Sequence, residues 1–386
     1  MKKFAKYILE SLLAWGAHRT IRVQKPLIIG ITGSSGKTST KDAIGHVLKY
    51  TLHDREINVA EGNLNTEFGL PLAVLGLSKP ETKLTWLEAG INALLLGMSP
   101  VRTSRSPILV LEYGAEQPGD IHRLVKFARP DISVVTNIGE AHTAFLGSIE
   151  GVAKEKSWLV KALPKSGIAI LNGDDKRVWA MREFTHSTVV KVIGKGQDFA
   201  RSAALAVAEY GFGIQAKSAR AALKSWEPPV GRLRLLKAVN GAWLLDDTYN
   251  ANPLSTTLAL SELGRLGREK KAKRLVAILG DMLELGSEEH RAHQGIALLG
   301  DRVADQLILV GPRFRRTKLG IWFPGPIPAA AFVLSQIQKG DLVLVKGSQS
   351  MRMEKVSESL LANQRESNQV LVRQTRYWKQ KPYIAP

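Results

Sequence analysis

Short apolar runs alternate with longer amphipathic stretches along most of the chain. The runs are nearly continuous in Ile, Leu and Val, which is typical of strands buried on both faces. Between them, helical periodicity predicts helices such as Lys37–Tyr50, Gly119–Ala128 and Val152–Leu163. This alternation predicts an α/β fold with mainly parallel sheets. The predicted strands are Leu27–Thr32, Ile108–Tyr113, Ile132–Asn137, Ile168–Asn172, Trp243–Asp247, Arg274–Leu279, Gln306–Val310 and Asp341–Lys346.

The two ends of the chain carry weaker patterns. Apolar residues at helical spacing predict an amphipathic helix near the N-terminus, and Glu10 interrupts the apolar stretch that a signal peptide would need. We favour packing of this helix on the body of the protein, and contact with a membrane surface or a partner is the alternative. The segment Gln369–Trp378 is compatible with one last strand. The sequence has no run of about 18 apolar residues, so we expect no transmembrane helix.

A domain boundary is predicted where the helical pattern breaks. Two prolines and a glycine interrupt it at Trp226–Arg232, and the α/β alternation then restarts. The 386 residues are also too many for one ordinary core. We therefore expect an N-terminal arm at residues 1–25, a central domain at 26–228 and a C-terminal domain at 229–386.

Composition narrows the chemistry. The chain has no cysteine, which excludes disulfides, thiolate metal sites and cysteine nucleophiles, and the cytoplasm is the default compartment. Lys and Arg number 54 against 35 Asp and Glu, giving a formal net charge of +19. This charge favours polyanionic partners such as nucleotides, nucleic acid or anionic lipid, and surface solubility alone would also explain it.

The clearest chemical signal follows the first predicted strand. A strand, a glycine turn and a helix in succession are the context that a phosphate-binding loop requires. Backbone N–H groups and the helix N-terminus would attract phosphate oxygens, Lys37 would face the β and γ phosphates, and Thr38 would offer a hydroxyl to Mg²⁺. Ile31 stands where the strict motif has its first glycine, so this is a shorter variant. The predicted nucleotide-binding residues are Gly33, Ser34, Ser35, Gly36, Lys37, Thr38 and Ser39.

Several isolated polar residues follow predicted strands or lie on predicted helices. Glu112 ends a strand, where a carboxylate suits Mg²⁺, although a surface glutamate is the commoner case. His142 follows another strand, and a lone histidine is more often a structural hydrogen-bonding group. Lys154 and Lys156 lie on a helix, where lysines are usually solvated. Asn252-Pro253 has the composition of a helix start.

Nine segments in order resemble the Mur ligase family, over nearly the whole chain after Pro26. They are TGSSGKTSTKD, GNLNTEFGLPL, LEYGAEQPGDI, TNIGEAHTAFLGS, VAKEK, GRL, DDTYNANPLS, LGDMLELG and VKGSQSMRMEKV. The resemblance implies a central P-loop ATPase domain with a mainly parallel sheet, followed by a smaller Rossmann-like α/β domain. It also implies ATP-dependent amide-bond formation in cell-wall precursor synthesis, through an acyl phosphate, with domain closure over the nucleotide.

The resemblance also assigns roles to residues. It implies two Mg²⁺ ions bound with Thr38, Glu112 and His142, and a CO₂-derived carbamate on Lys156. Lys154 competes for that last role, and the spacing from Gly147-Ser148 favours Lys156. Lys37 and Arg232 would stabilise the transferring phosphoryl group. The remaining implied contacts are Asn137, Asp247, Tyr249, Asn250 and Asn252 with the nucleotide, Asn63, Asn65 and Thr66 with the first substrate, and Lys346, Ser348 and Arg352 with the incoming amine.

The implied partners are small molecules. They are a UDP-muramoyl-peptide-like acceptor and D-alanyl-D-alanine or an amino acid, with the enzyme a monomer and no nucleic acid bound. About 25 residues precede the first strand, so we expect no separate N-terminal UDP-binding domain. Thr66 stands where close relatives usually have Asn. Three alternative functions remain open. They are a folylpolyglutamate- or cyanophycin-type ligase, a non-catalytic nucleotide-binding module, and a nucleic-acid-binding ATPase favoured by charge alone.

Overall fold

The computed structural model describes residues 2–62, 64–78, 80, 82–98, 106–139, 146–381 and 383. The described chain divides into two compact units, one ending at Trp226 and the other resuming at Glu227. Each unit contains a six-stranded sheet. None of the described helices has both the length and the hydropathy needed to cross a bilayer.

The first unit is built on a wholly parallel sheet. Its strands are β1 (Leu27–Thr32), β2 (Ile57–Val59), β3 (Ile108–Glu112), β4 (Ile132–Val135), β5 (Ile168–Asn172) and β6 (Thr188–Val192). They lie in the order β2-β3-β1-β4-β5-β6, so β1 has β3 on one side and β4 on the other. Its described helices are α1 (Lys2–Gln24), α2 (Lys37–Thr51), α3 (Gly69–Val74), α4 (Lys83–Met98), α5 (Asp120–Phe127), α6 (Ile149–Lys161), α7 (Lys176–Ala180), α8 (Gly196–Ala206) and α9 (Ala216–Lys224).

Helices cover both faces of this sheet, because alternate strand residues point to opposite sides. Ile29 and Ile31 of β1 pack in one core with α2, α8 and α9. Ile28 packs in the other core with α1, α3, α4 and α5. Burial on both faces explains why the strands are continuous apolar runs in the sequence.

The second unit has a mixed sheet. Its strands are β7 (Arg234–Lys237), β8 (Trp243–Asp247), β9 (Arg274–Gly280), β10 (Gln306–Val310), β11 (Ile321–Phe323) and β12 (Asp341–Lys346), in the order β11-β10-β9-β12-β8-β7. Only the β7–β8 pair is antiparallel among these described strands. The helices are α10 (Pro253–Lys270), α11 (Glu289–Val303), α12 (Pro326–Gln336), α13 (Glu354–Leu360), α14 (Ser367–Val370) and α15 (Arg376–Gln380).

The eight strands predicted from the sequence are confirmed, with ends that move by at most two residues. The fold class, a parallel-sheet domain followed by a smaller α/β domain, is confirmed with them. Sequence reasoning missed β2, β6, β7 and β11. Two of these have three residues each, and the other two contain lysine or arginine, so their apolar signal is weak.

The predictions for the chain ends had different outcomes. The N-terminal helix is confirmed as α1, whose Leu13 and Ala17 are buried in a core shared with α4. The predicted last strand at Gln369–Trp378 is wrong. That segment contains the end of α14, a turn with Arg373 at φ 59°, and the start of α15. Arg373 donates to the carbonyls of Thr248 and Tyr249, so a side chain rather than strand pairing fixes this segment.

Two helical glycines with different surroundings test the packing. A Cβ at Gly45 of α2 would lie 2.4 Å from Val59 Cγ2, whereas one at Gly264 of α10 would meet nothing nearer than 3.8 Å. We expect Gly45→Ala to destabilise the first unit by about 1–3 kcal/mol through overpacking. Gly264→Ala should stabilise the second unit by about 0.5–1 kcal/mol, because alanine has the higher helix propensity. Urea denaturation would measure both changes, and equal effects would contradict the packing described here.

Candidate active site

The loop from Gly33 to Gly36 joins β1 to α2. Gly33 has φ 149° and Gly36 has φ 79°, and both values favour glycine. A Cβ on Gly33 would lie 1.8 Å from Thr136 Oγ1, so no other residue fits there. A Cβ on Gly36 would meet nothing within 4 Å, so this end of the loop is open. The N-terminus of α2 begins at this opening, and it is an anion-binding feature.

Residues that follow β4 hold the loop from the side. Ser34 N donates to Asn137 O at 2.9 Å, and Ser35 N donates to Asn137 Oδ1 at 2.8 Å. Asn137 Nδ2 returns a bond to Ser35 O at 3.1 Å, and Thr136 Oγ1 donates to the same oxygen at 2.5 Å. The sequence-predicted Asn137 therefore fixes the loop's shape. Lys37, predicted to face phosphate, donates from Nζ to Gly33 O at 2.7 Å.

Glu112 ends β3, on the other side of β1. It pairs in register with Ile31, two residues before the loop, and it is almost fully buried. Its Oε1 lies 3.1 Å from the Nζ of Lys41, which also donates to Gly62 O at 2.9 Å. Sequence reasoning did not single out Lys41. Its position one helical turn after Lys37, on the same face of α2, was the available signal.

Lys156 lies on α6 and is 2% exposed, whereas Lys154 is exposed. Burial lowers the pKa of Lys156 well below its usual value, and the nearby charge of Lys37 lowers it further. Among the described residues, nothing forms a hydrogen bond or ion pair with its Nζ. Its neighbour Glu155 is also buried and accepts from the backbone N–H groups of Gly119 and Ile121, both at 2.8 Å. This contact fixes α5 against α6.

The predicted first-substrate residues are only partly described. Asn63 lies outside the described residues, and so does His142, the predicted metal ligand. Asn65 accepts through its carbonyl from Gly114 N at 2.9 Å, which places it beside the end of β3. Thr66 Oγ1 accepts from Gly69 N at 3.3 Å, at the start of α3. Asn65 therefore lies near Glu112, and Thr66 has a local structural contact.

The second unit gathers charged residues at the carboxyl end of its sheet. Lys346 ends β12 and pairs in register with Asp247 at the end of β8. Its buried Nζ donates to Asp247 Oδ2 at 2.6 Å and to Asn250 O at 2.8 Å. Burial lowers the pKa of Lys346, and Asp247 opposes that shift. This ion pair positions the segment from Asp247 to Asn250.

Arg232 and Tyr249 form a stacked pair in the same unit. The guanidinium carbon of Arg232 lies 3.9 Å from the centre of the Tyr249 ring, which is cation–π distance. Tyr249 N donates to Gly231 O at 3.1 Å and keeps the two segments together. Asn252 caps α10 in a reciprocal capping box with Ser255, which confirms the helix start predicted at Pro253. These contacts bring the predicted residues of GRL and DDTYNANP together.

The three residues predicted near the incoming amine have different environments. Lys346 is described above, and Ser348 Oγ accepts from Leu283 N at 2.9 Å. Arg352 is 3% exposed and pairs with Glu354 at 2.5 Å. It also donates to the carbonyls of Trp378 and Lys381, both at 2.8 Å. In this conformation Arg352 holds the C-terminal segment.

The segment LGDMLELG received no residue roles from the sequence, and the structure gives one to Asp281. This carboxylate is fully buried and accepts from Arg313 N at 3.0 Å and Phe314 N at 3.1 Å. Burial raises its pKa. Asp281 therefore has a structural role in fixing the turn after β10.

Asp246 is a buried acid whose ionisation the structure disfavours. It is fully buried, its Oδ1 accepts from Ser357 Oγ at 2.6 Å and from Thr248 Oγ1 at 2.9 Å, and its Oδ2 has no hydrogen-bond partner among the described residues. Burial raises its pKa to about 7. The folded protein thus binds this proton more tightly than the unfolded chain does, and the resulting stability is lost as pH rises through 7.

We expect Asp246→Asn, which resembles the protonated acid, to remove this pH dependence. The variant's stability relative to the unmodified protein should rise by at least about 1 kcal/mol between pH 5 and pH 8, since one pKa unit is worth about 1.4 kcal/mol. Urea denaturation of the second unit at both pH values would measure it. The exposed Asp301→Asn is the control, and parallel behaviour of the two variants would contradict the prediction.

Comparisons with known proteins agree with this geometry. A family model for the Mur ligase middle domain matches residues 31–218, and one for the Mur ligase, glutamate ligase domain matches residues 231–349. The chain is 30% identical over 381 residues to the UDP-N-acetylmuramoyl-tripeptide–D-alanyl-D-alanine ligase of Bacillus subtilis (strain 168), covering 86% of this chain and 76% of that protein. The ligase of the same name from Escherichia coli (strain K12) is 27% identical over 402 residues, covering 91% of this chain and 80% of that protein.

A solved structure is similar along most of the chain. The MurF ligase from Thermotoga maritima in complex with ADP superposes with a TM-score of 0.74 and 25% sequence identity, covering 93% of this chain and 84% of that one. The first family model spans the phosphate loop and most of the parallel sheet, and the second spans the mixed sheet. The chain therefore belongs to the Mur ligase family of ATP-dependent, ADP-forming ligases.

Proposed function

We propose that the protein joins D-alanyl-D-alanine to a UDP-muramoyl-peptide-like acceptor, using ATP and an acyl-phosphate intermediate. The observation that carries the proposal is the cluster at the carboxyl edge of the first sheet. There the phosphate loop, Glu112 and Asn137 meet where β1 separates β3 from β4. Ligands of open α/β sheets bind at such a point, where the strand order reverses. The names of relatives such as the B. subtilis ligase supply the two substrates.

The proposed reaction has two steps. A carboxylate oxygen of the acceptor attacks the γ-phosphorus of ATP, the bond to the bridging oxygen breaks, and ADP leaves. The amine nitrogen of D-alanyl-D-alanine then attacks the acyl carbon, the carbon–oxygen bond to phosphate breaks, and inorganic phosphate leaves as the amine loses a proton. The loop N–H groups and Lys37 would bind the phosphate oxygens, on which charge shifts during transfer.

The described residues offer part of a magnesium site. No group of three His, Cys, Asp or Glu side chains able to hold a metal occurs within the described ranges, and His142 lies outside them. Glu112 and Thr38 supply oxygen donors, which is the chemistry that Mg²⁺ prefers. We propose that Thr38, Glu112, His142 and carbamylated Lys156 hold two Mg²⁺ ions. When bound, Mg²⁺ would neutralise negative charge on the phosphates.

A carbamate on Lys156 fits the environment of this side chain. Reaction with CO₂ requires the neutral amine, and burial together with Lys37 lowers the pKa of Lys156 in that direction. A neutral amine becomes an anion with two oxygen atoms beside the positive charge of Lys37. Lys154 is exposed and lacks this environment. These differences support Lys156 as the modified residue.

The second unit would contribute to nucleotide and amine binding. We propose that Arg232 interacts with the γ-phosphate, and that Asp247, Tyr249, Asn250 and Asn252 line the adenosine side. Stacking on Tyr249 fixes the guanidinium plane of Arg232, which suits bidentate phosphate binding. Lys346 and Ser348 are proposed at the amine side, with Arg352 supporting them. We place the reaction in the cytoplasm, with the enzyme acting as a monomer without nucleic acid.

An ADP-release screen tests the substrates and the phosphate loop together. Pairs of UDP-muramoyl peptides with D-alanyl-D-alanine or single amino acids would be compared. We expect ADP release to require both a UDP-muramoyl peptide and D-alanyl-D-alanine. Lys37→Ala should lower the rate by about 100-fold or more, because transition-state charge loses a cation. Lys49→Ala, on the exposed face of the same helix, is the control.

Two results of this screen would count against the proposal. Release that ignores the peptide substrates would refute the substrate assignment. An unchanged substrate-dependent rate in Lys37→Ala would refute the role of the phosphate loop. A thermal melt of Lys37→Ala would show that the fold is retained.

The carbamate has its own test. We expect Lys156→Ala to lower ligase turnover by about 100-fold or more, and short carboxylic acids such as acetate to restore part of it by supplying the missing anionic oxygens. Lys154→Ala should keep its activity and show no response to acetate. Lack of rescue for Lys156→Ala would count against the carbamate and leave the ligase assignment standing.

A further inference from the structure

Helix α4 exposes its large apolar side chains. The exposed fractions of Leu84 and Met98 are both 65%, and that of Leu87 is 60%. At about 100° per residue, six of its seven exposed large apolar residues fall on one arc about 100° wide, and Leu96, which is 37% exposed, lies outside it. The six are Leu84, Leu87, Ile91, Leu94, Leu95 and Met98. We call this surface the α4 apolar face.

The opposite side of α4 is made of small residues that pack closely on α1. Ala89 and Ala93 are buried, and a Cβ on Gly97 would lie 2.3 Å from the Trp15 ring. A Cβ on Gly16 of α1 would lie 2.3 Å from Ala93 O. Helices in water usually bury their large apolar residues, whereas helices in lipid pack through small residues and turn large ones outward. The α1–α4 pair has the second arrangement.

The length of α4 limits how it can meet a bilayer. Its 16 residues span about 24 Å, which is less than the roughly 30 Å of a hydrocarbon core. No described helix can cross a membrane. A helix of this kind can lie in the interface with its apolar side among the acyl chains.

The segments around the α4 apolar face are rich in positive charge, and part of that charge lies beside α4. Residues 1–25 and 83–105 together contain nine Lys and Arg and two Glu. Arg19 and Arg22 are exposed on α1 and Lys25 is exposed just after it, and Arg19 Nε donates to Gly97 O at 3.4 Å, near the last turn of α4. A basic rim around an aliphatic surface is complementary to anionic lipid headgroups above acyl chains.

We propose that α1 and α4 form a monotopic docking surface that inserts the α4 apolar face into an anionic bilayer. The chemistry of the face favours lipid over protein. Its exposed large residues are mainly Leu and Ile, whereas the centres of protein interfaces are enriched in aromatic residues, Met and Arg. The proposal does not depend on which substrates the ligase joins.

The test is flotation of the full chain with vesicles. One set contains equal phosphatidylglycerol and phosphatidylethanolamine, and the other contains phosphatidylcholine alone. The test variant is Leu87→Glu with Ile91→Glu. The matched control is Leu298→Glu with Ile193→Glu, which changes the same residue types at exposed positions elsewhere. ADP release without lipid and thermal melting would show that each variant is folded.

We expect the unmodified protein and the control to float with the anionic vesicles and to bind phosphatidylcholine more weakly. Raising salt from about 0.1 M to about 1 M should weaken binding by screening the basic rim. The test variant should lose about 100-fold or more of its partition coefficient, because charges replace two aliphatic side chains that would enter the acyl chains.

Three outcomes would overturn the proposal. The first is no flotation of the unmodified protein with anionic vesicles. The second is equal flotation of the test and control variants, which would mean that another surface binds. The third is a dimer in sedimentation without lipid that only the test variant dissociates, with no vesicle binding. That result would assign the α4 apolar face to a second copy of the chain.

Discussion

The hydrogen bonds between the loop Gly33–Gly36 and the residues after β4 are the contacts on which the candidate site depends. Backbone and side-chain atoms of Asn137 both bind the loop, and Thr136 fills the space where a side chain at Gly33 would lie. These contacts require β4 to lie beside β1. Because β3 lies on the other side, the same strand order places Glu112 next to the loop. The site is therefore a consequence of sheet topology.

Buried cations in this chain differ in their partners. Several have a close anionic partner, such as Lys41 with Glu112, Lys346 with Asp247 and Arg352 with Glu354. Removing one member of such a pair leaves an uncompensated charge, which is costly. Lys156 is buried without an ion pair among the described residues, and burial together with the charge of Lys37 lowers its pKa. A lowered pKa favours the neutral amine, which is the nucleophilic form.

The sequence predicted the eight central strands and the order of the site segments, because buried parallel strands and glycine turns leave local signals. It could not predict the short or basic edge strands, whose pairing depends on neighbours distant in the chain. Motif spacing favoured Lys156 over Lys154, but only packing shows that Lys156 is the buried one. Arg373 was missed for the same reason, since its partners lie about 125 residues away. Local pattern predicts elements, and three-dimensional packing determines which charged side chains meet.

Lys41 joins two parts of the first unit through a single ammonium group. Its Nζ contacts Glu112 Oε1 and also donates to the carbonyl of Gly62, in the segment that leads to Asn65 and Thr66. A cation that takes over Glu112 must compete with Lys41, and displacement of Lys41 would also release Gly62. Occupancy at the end of β3 would thereby be linked to the position of Gly62. The end of β3 and the segment at Gly62 can therefore affect each other through Lys41, without any movement of the sheet.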